Sequence, residues 1–376
     1  MSNNHTGLKE TDLRDMPSKS EDCDGREQSG HDVYDVTIIG AGPAGLYAAF
    51  YAGLREMKTK IIEYHPFLGG KVNIYPEKLI WDVGGLTPAT GQQLIEQLVK
   101  QAMTFQPTVV LGEKVVSIGK DGERFVLHTH TGRVHYSKTV IIAIGAGILK
   151  PIKLQLEGAE RFEKTNLHYA VKSYAHFRNK TVLISGGGNS ALDWANELSD
   201  VAKNVYVTYR KEALKGHEAT ITMAKKNGVV FLLNTEIERL IAAEDDHDAI
   251  GRVVLRHADD DSASELEVDD VIICHGYERE TELIENSTVN IRMKNEYCIE
   301  GTSLCETSVP GIFAAGDILA YDGKVYLIAG AFHDAANAVN RAKQYITPEA
   351  ESYGMVSSHN ELFKEKNKEL RKLLLT

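Results

Sequence analysis

Cysteine is the first scarcity in this chain of 376 residues. Its four cysteines, Cys23, Cys274, Cys298 and Cys305, follow neither a paired nor a metal-ligating spacing. A redox Cys-x-x-Cys or a thiolate metal centre is thereby excluded, and free thiols fit a reducing, cytoplasmic setting. Long apolar runs are also missing: none approaches the roughly 20 residues that span a bilayer, so no membrane segment is expected. The opening Met1-Ser2-Asn3-Asn4-His5 is polar and lacks an apolar core, so no secretory signal is expected either. Positive charge is in deficit, with 42 Lys and Arg against 53 Asp and Glu and a net charge of -11. That excludes a general affinity for nucleic acid or anionic membranes, though not one local basic patch.

What is present is organised around Tyr34 to Glu63. The apolar run Val36-Thr37-Ile38-Ile39 breaks into Gly40-Ala41-Gly42-Pro43-Ala44-Gly45, continues as a helical stretch from Leu46 to Arg55, and returns to a second apolar run ending at Glu63. Strand, glycine turn, helix, strand and terminal acid form the unit that binds an adenine dinucleotide. Gly40 permits the tight exit from the strand, Gly42 lets backbone N–H groups approach a pyrophosphate, and Gly45 lets the helix pack closely on the sheet. The helix starts with unpaired N–H groups and its positive dipole end towards the phosphates. Glu63 stands where a carboxylate can accept both ribose hydroxyls.

Residues 1–30 are polar and lack periodicity, and read as a disordered extension. After the first unit, Gly69-Gly70 precede Lys71 and allow the backbone to pass against a cofactor; Tyr75 is held extended by Pro76, a fixed aromatic beside that passage. Thr90 to Phe105 is an amphipathic helix. Thr108 to Leu111, Lys114 to Ile118, Arg124 to Thr129 and Arg133 to Tyr136 read as a small β-meander, which leads into a buried parallel strand over Thr139 to Gly147.

A second dinucleotide unit follows. Thr181 to Ser185 is its strand, Gly186-Gly187-Gly188-Asn189-Ser190-Ala191 its turn, with Ala191 in the third, packing position, and Asn204 to Thr208 the next strand. Where the first unit carries its acid, this one carries Arg210 and Lys211. A carboxylate there would repel a 2′-phosphate and an arginine can pair with one, so NADP is expected rather than NAD. The segments Val229 to Leu233, Ile237 to Ile241, Gly251 to Arg256 and Leu266 to Val268 repeat the meander, and Val271 to Tyr277 repeats the closing strand. Finally Gly311 to Asp317 is an apolar strand ending in Gly316-Asp317, whose carboxylate can bond a sugar or ribityl hydroxyl, and Ala329 to Tyr345 is a helix.

One unit with an acid, one with basic residues and a late Gly-Asp strand make this α/β chain resemble the pyridine nucleotide-disulfide reductase superfamily. Its length resembles the thioredoxin reductase branch, and the missing redox cysteines make it similar to the thioredoxin-reductase-like ferredoxin/flavodoxin–NADP reductases. Tyr75-Pro76-Glu77-Lys78, Gly323-Lys324-Val325 and Met355-Val356-Ser357-Ser358 also support the likeness. It implies two Rossmann-like domains: an FAD domain over 31–150 and 283–376, and an NADP(H) domain over 151–282. It further implies FAD contacts at Glu63, Lys71, Tyr75, Val116, Leu149, Asp317 and Ser358, with Tyr75 on one flavin face. The chain departs from the pattern at three places. Lys71 stands where glutamine is usual, Val356 where a tail histidine often covers the second flavin face, and Tyr209-Arg210-Lys211 where His-Arg-Arg is common.

The resemblance implies a homodimer that passes electrons between NADPH and ferredoxin or flavodoxin, without a catalytic acid, base or nucleophile and without a metal. The two domains are expected to rotate about connectors near Lys150 to Leu154 and Tyr277 to Glu282. An NADPH oxidase, a disulfide or quinone reductase, and a non-catalytic FAD- and NADP-binding sensor are the alternatives. A basic docking patch for an acidic carrier is sought in the tail, where Lys364, Lys366, Lys368, Arg371 and Lys372 are interleaved with Glu361, Glu365 and Glu369.

Overall fold

The computed structural model describes residues 32–374, apart from Thr87, Leu149, Arg279 and the side chain of Leu373. The readings of residues 1–30, of Cys23 and of the Leu149 contact lie outside the described residues.

Two sheets carry the architecture. In the first, Val33–Ile39 lies between Thr59–Glu63 and Val134–Ile142, all parallel, and Thr108–Leu111 extends the parallel set beyond Thr59–Glu63. Ile312–Ala314 joins Val134–Ile142 in parallel, although it arrives from far along the chain. The second sheet is wholly parallel, in the order Val230–Leu233, Asn204–Tyr209, Thr181–Ser185, Asp270–Ile273, Leu167–His168. An antiparallel three-stranded sheet, Thr235–Ala242, Ile250–His257 and Ala263–Glu267, follows it.

The residues explain the layering. Val36, Ile38, Ile61, Val140, Ile141 and Ile142 are fully buried, as strands covered on both faces require. Each such side chain contributes roughly 1.5–3 kcal/mol by leaving water. The helix Pro43–Leu54 buries Ala44, Ala48, Ala49 and Ala52, and Ile328–Ile346 buries Ala331, Ala335, Ala338 and Ala342; these small side chains let the two helices approach closely over the sheet. The amphipathic segment forms a helix over Gly91–Ala102 and ends in a 3-10 turn at Met103–Phe105. Its start is a capping box, in which Thr90 Oγ1 accepts from Gln93 N at 3.2 Å and Gln93 Oε1 accepts from Thr90 N at 2.9 Å.

Two sequence readings are corrected. Arg133 to Tyr136 and the closing strand are one strand, Val134–Ile142, which pairs with Arg124–Thr129 through its first half and with Val33–Ile39 almost throughout. The polar Ser137-Lys138 looked like a break. Ser137 is in fact buried, with Oγ donating to Thr139 O at 2.7 Å, while Lys138 points outward to Asp35 at 2.8 Å. Thr108–Leu111 and Val230–Leu233 are parallel edge strands rather than meander strands. A four-residue apolar run has no periodicity that distinguishes the two.

The two sheets are joined by chain crossings that run side by side. Ile152 N donates to Gly276 O at 3.0 Å, Glu278 N donates to Lys150 O at 2.8 Å, and Lys150 pairs with Glu278 at 2.6 Å. Beyond these crossings, Tyr174 N donates to Glu77 Oε2 at 2.7 Å, and Lys78 pairs with Glu197 at 3.0 Å and Asp193 at 3.5 Å. Tyr75 packs against the apolar cores of both sheets.

Candidate functional site

A cleft of about 1440 Å³ runs between the carboxyl ends of the two parallel sheets. Crevices at that edge of open α/β sheets are where ligands bind. Its wall includes Gly40, Gly42, Pro43, Ala44, Glu63, Gly70, Lys71, Tyr75, Gly316 and Asp317 from the first sheet's side. From the second come Gly186, Gly188, Asn189, Ser190, Ala191 and Arg210. One space therefore adjoins both glycine turns.

The first turn is built by close backbone approach. A Cβ on Gly45 would lie 1.9 Å from Gly40 O, so only glycine lets the helix seat on the strand; Gly45 lies beneath the cleft and does not line it. Gly70 approaches the same turn: with φ +59, its Cβ would meet Gly42 Cα at 2.7 Å. The glycine pair thus serves contact between two backbone segments of the wall as well as access to the cleft. Pro43 opens the helix where its missing N–H costs nothing.

Glu63 is buried, and its carboxylate is held by the turn it serves. Oε2 accepts from Ala41 N at 2.7 Å and Oε1 from His65 N at 2.9 Å. Two backbone donors offset part of the cost of burying the charge, and each oxygen keeps a lone pair for a further hydroxyl. Behind Asp317, the fully buried Asp334 accepts from Gly316 N at 3.0 Å and Tyr321 OH at 2.8 Å and pairs with Lys324. This network sets the Gly316-Asp317 turn at the mouth of the helix Ile328–Ile346, whose first residues, Ile328 and Ala331, line the cleft.

In the second unit the turn Gly186 to Gly188 opens the helix Asn189–Ser199, giving an N-terminus that faces the cleft as the first does. The Tyr209 ring lies against Gly187, where a Cβ would come within 2.5 Å. Arg210 is exposed to the cleft, and no ion pair among the described residues engages it. A cation facing a cleft without a carboxylate partner suits a phosphate.

Three expected contacts are placed elsewhere. Val116 does not line the cleft but its neighbour Val115 does, at a β-bulge between Val115 and Ser117 in the strand Val115–Asp121. Lys211 does not line it. Ser358 lies in a tail that packs on the other end of Pro43–Leu54: Gly354 N donates to Tyr51 OH at 3.1 Å, and Phe363 meets Phe50 and Phe105. His65, Lys114, Val115, Glu280 and His275 line the cleft and carry no signal in local spacing. For His275 a signal existed in the internal repeat.

Among the described residues no dithiol reaches the cleft. Burial pushes the Cys274 thiol up to about 12 and raises Cys305 further, and Cys298 is raised too, so none supplies a thiolate near neutral pH. His168, His176 and Asp270 form a cluster at the opposite edge of the second sheet. The His Nε2 atoms lie 2.6 and 2.8 Å from Asp270 Oδ1, with Lys180 at 2.9 Å from Oδ2. Those are hydrogen-bond separations. Ligands around one tetrahedral ion, at bonds of about 2.0–2.1 Å, stand about 3.3 Å apart. The cluster is a buried carboxylate held by three hydrogen-bonding partners.

Two dinucleotide turns facing one cleft define a flavin- and nicotinamide-dependent oxidoreductase fold. The pyridine nucleotide-disulphide oxidoreductase family model matches residues 34–342, and the chain belongs to that family. It is 62% identical over 345 residues to ferredoxin–NADP reductase 1 of Bacillus cytotoxicus, covering 92% of this chain and 99% of that protein. It is 58% identical over 340 residues to ferredoxin–NADP reductase 2 of Exiguobacterium sibiricum, covering 90% and 96%. Among solved structures it resembles Lactococcus lactis thioredoxin reductase, at a TM-score of 0.69 and 26% identity over 84% of this chain and 99% of that one. The thioredoxin-reductase type of α/β fold expected from the sequence is the one observed.

Proposed function

We propose that the chain is an FAD-dependent ferredoxin–NADP reductase, transferring electrons between NADPH and ferredoxin or flavodoxin. The observation that carries this reading is the single cleft shared by both dinucleotide turns, with an acid, Glu63, at the first and, at the second, a cation, Arg210, that no ion pair among the described residues engages. Bound FAD supplies the chemistry, taking up a hydride's two electrons and releasing them singly. The protein supplies position. Glu63 holds the adenosine ribose of FAD, the two helix N-termini take the pyrophosphates, Asp317 takes the ribityl chain, and Tyr75 lies against one flavin face. Lys71 and Gly70 close that side, and Arg210 binds the 2′-phosphate of NADP(H).

The absence of a cysteine between Cys23 and Cys274, together with three protonated thiols, weighs against a disulfide reductase and for a protein carrier. The domain division at 151–282 fits the paired crossings at Lys150 to Ile152 and Gly276 to Glu278, and those crossings form the hinge of the rotation. A second copy completes the flavin site: Tyr353, Met355 and Val356 are exposed and turned away from their own cleft, which suits a tail that covers the partner's. The tail lysines are a poor docking patch, because Lys364 pairs with Glu361 and Lys368 approaches Glu365. A cytoplasmic site fits the free thiols; among the described residues no helix is long and apolar enough to cross a membrane.

The test mixes the yellow protein anaerobically with NADPH, follows flavin bleaching, then adds ferredoxin or flavodoxin. Fast bleaching reversed by the carrier supports the reading. Bleaching that no carrier reverses points to an oxidase, and binding without bleaching to a sensor.

A further inference from the structure

The two dinucleotide units share hydrogen bonds between neighbouring strands as well as their motifs, and one of the positions at which they differ lies in the cleft. In the first unit Ala143 N donates to Ile39 O at 2.8 Å, and a Cβ on Gly40 would meet Ala143 O at 2.6 Å. In the second, Cys274 N donates to Ser185 O at 2.7 Å, and a Cβ on Gly186 would meet Cys274 O at 2.5 Å. Ala143 and Cys274 are thus equivalent. The next residue is Ile144 in the first unit and His275 in the second, and both line the cleft.

His275 follows Asp270–Ile273, the strand beside Thr181–Ser185, on the side away from Asn204–Tyr209. A dinucleotide lying over the Gly186 turn has the helix Asn189–Ser199 on one side and this strand end on the other, because the crevice opens where neighbouring connections diverge. The imidazole is oriented: Ser185 Oγ lies 2.8 Å from Nε2. No partner among the described residues engages Nδ1. An oriented ring with one nitrogen left over, in a cleft that Arg210 and the Gly186 turn also line, has the form of a ligand contact.

We propose that His275 is a further nucleotide-binding residue of the second unit, oriented by Ser185, whose imidazole bonds the phosphate-bearing backbone of NADP(H). This rests on reading the second unit as the NADP(H) site. The charge that acts on the ring is that of Arg210, and its titratable neighbours along the chain are the Cys274 thiol and the Tyr277 phenol. Burial raises the last two, so both are neutral at physiological pH. Desolvation in the cleft and then the Arg210 charge push His275 below its ordinary 6.5, so it is largely neutral in the empty site. A bound phosphate reverses that bias by adding negative charge beside both cations. Binding therefore takes up a proton, and the His275 contribution to affinity grows as pH falls towards 6.

The test measures dissociation constants of the FAD-loaded protein for NADP+ by the perturbation of the flavin spectrum, at pH 6.0 and 8.0. His275→Gln, His275→Ile and Ser185→Ala are compared with wild type, and Arg210→Gln serves as the site control. His275→Gln and His275→Ile should weaken binding about tenfold at pH 6 and about threefold or less at pH 8. Ser185→Ala should shift affinity in the same pH-dependent sense, and the flavin spectrum and melting temperature should be unchanged. His275→Gln keeps a polar side chain of similar reach, so a difference that grows towards acid reports the proton and not packing. If Arg210→Gln weakens binding while both His275 variants follow the wild-type pH profile, the inference fails and the NADP(H) reading stands. If wild type binds no NADP+, both fail.

Discussion

Replacing Arg210 by glutamine tests the nucleotide choice most directly. Arg210 faces the cleft and Lys211 does not, although the two are adjacent and carry the same charge. A charge-assisted hydrogen bond to phosphate contributes about 1.5–3 kcal/mol, and solvent around an exposed guanidinium places this one in the lower half of that range. Roughly 1.5–2.2 kcal/mol corresponds to about 10–40-fold in affinity. Steady-state rates with NADPH and NADH and a fixed carrier give the readout. Arg210→Gln should raise KM for NADPH by that factor, leave KM for NADH within about twofold, and change kcat little, since the lost contact is remote from the reacting ring. Lys211→Gln should alter either KM by less than about threefold. An equal loss with both nucleotides, or discrimination residing in Lys211, would refute the assignment.

Glu63→Gln replaces one carboxylate oxygen by an amide donor, which opposes either Ala41 N–H or His65 N–H and removes one ribose acceptor; FAD affinity should fall about tenfold or more, measured by fluorescence titration of the apoprotein. Gly45→Ala would set a Cβ 1.9 Å from Gly40 O, a backbone clash that no rotamer relieves, and thermal melts should show a loss of about 3 kcal/mol or a failure to hold FAD. Asp270 is fully buried; burial opposes its charge, but donors from His168, Lys180 and His176 prevail and lower its pKa. Its contribution to stability is therefore complete above the unfolded carboxylate value near 3.9 and is lost as pH falls from there through the lower folded value. Urea midpoints from pH 2.5 to 6 should show that acid loss in wild type and a flatter acid limb in Asp270→Asn, which should also be less stable at pH 6.

The likeness between the two units was visible along the chain. Val36 to Gly45 and Val182 to Ala191 each carry a strand, a glycine turn and a helix, and the acid Glu63 and the basic Arg210 stand at corresponding places after them. Such local features survive in sequence because each depends on backbone conformation within about thirty residues. Residues contributed from a distance were harder to see. Val115 rather than Val116 reaches the cleft because a bulge between Val115 and Ser117 and the strand's pairing set its phase. Asp334 became part of the site only when the helix Ile328–Ile346 was laid behind Gly316.

By itself the sequence determined that two dinucleotide turns, one followed by an acid and the other by basic residues, occur in one chain without a redox dithiol. Spacing, residue type and the φ freedom of glycine suffice for that. The tertiary structure alone decided that both turns open into one cleft and that Arg210 and not Lys211 faces it. Those outcomes follow from strand order and register, which are set by packing between residues far apart in sequence and leave no mark in any local pattern.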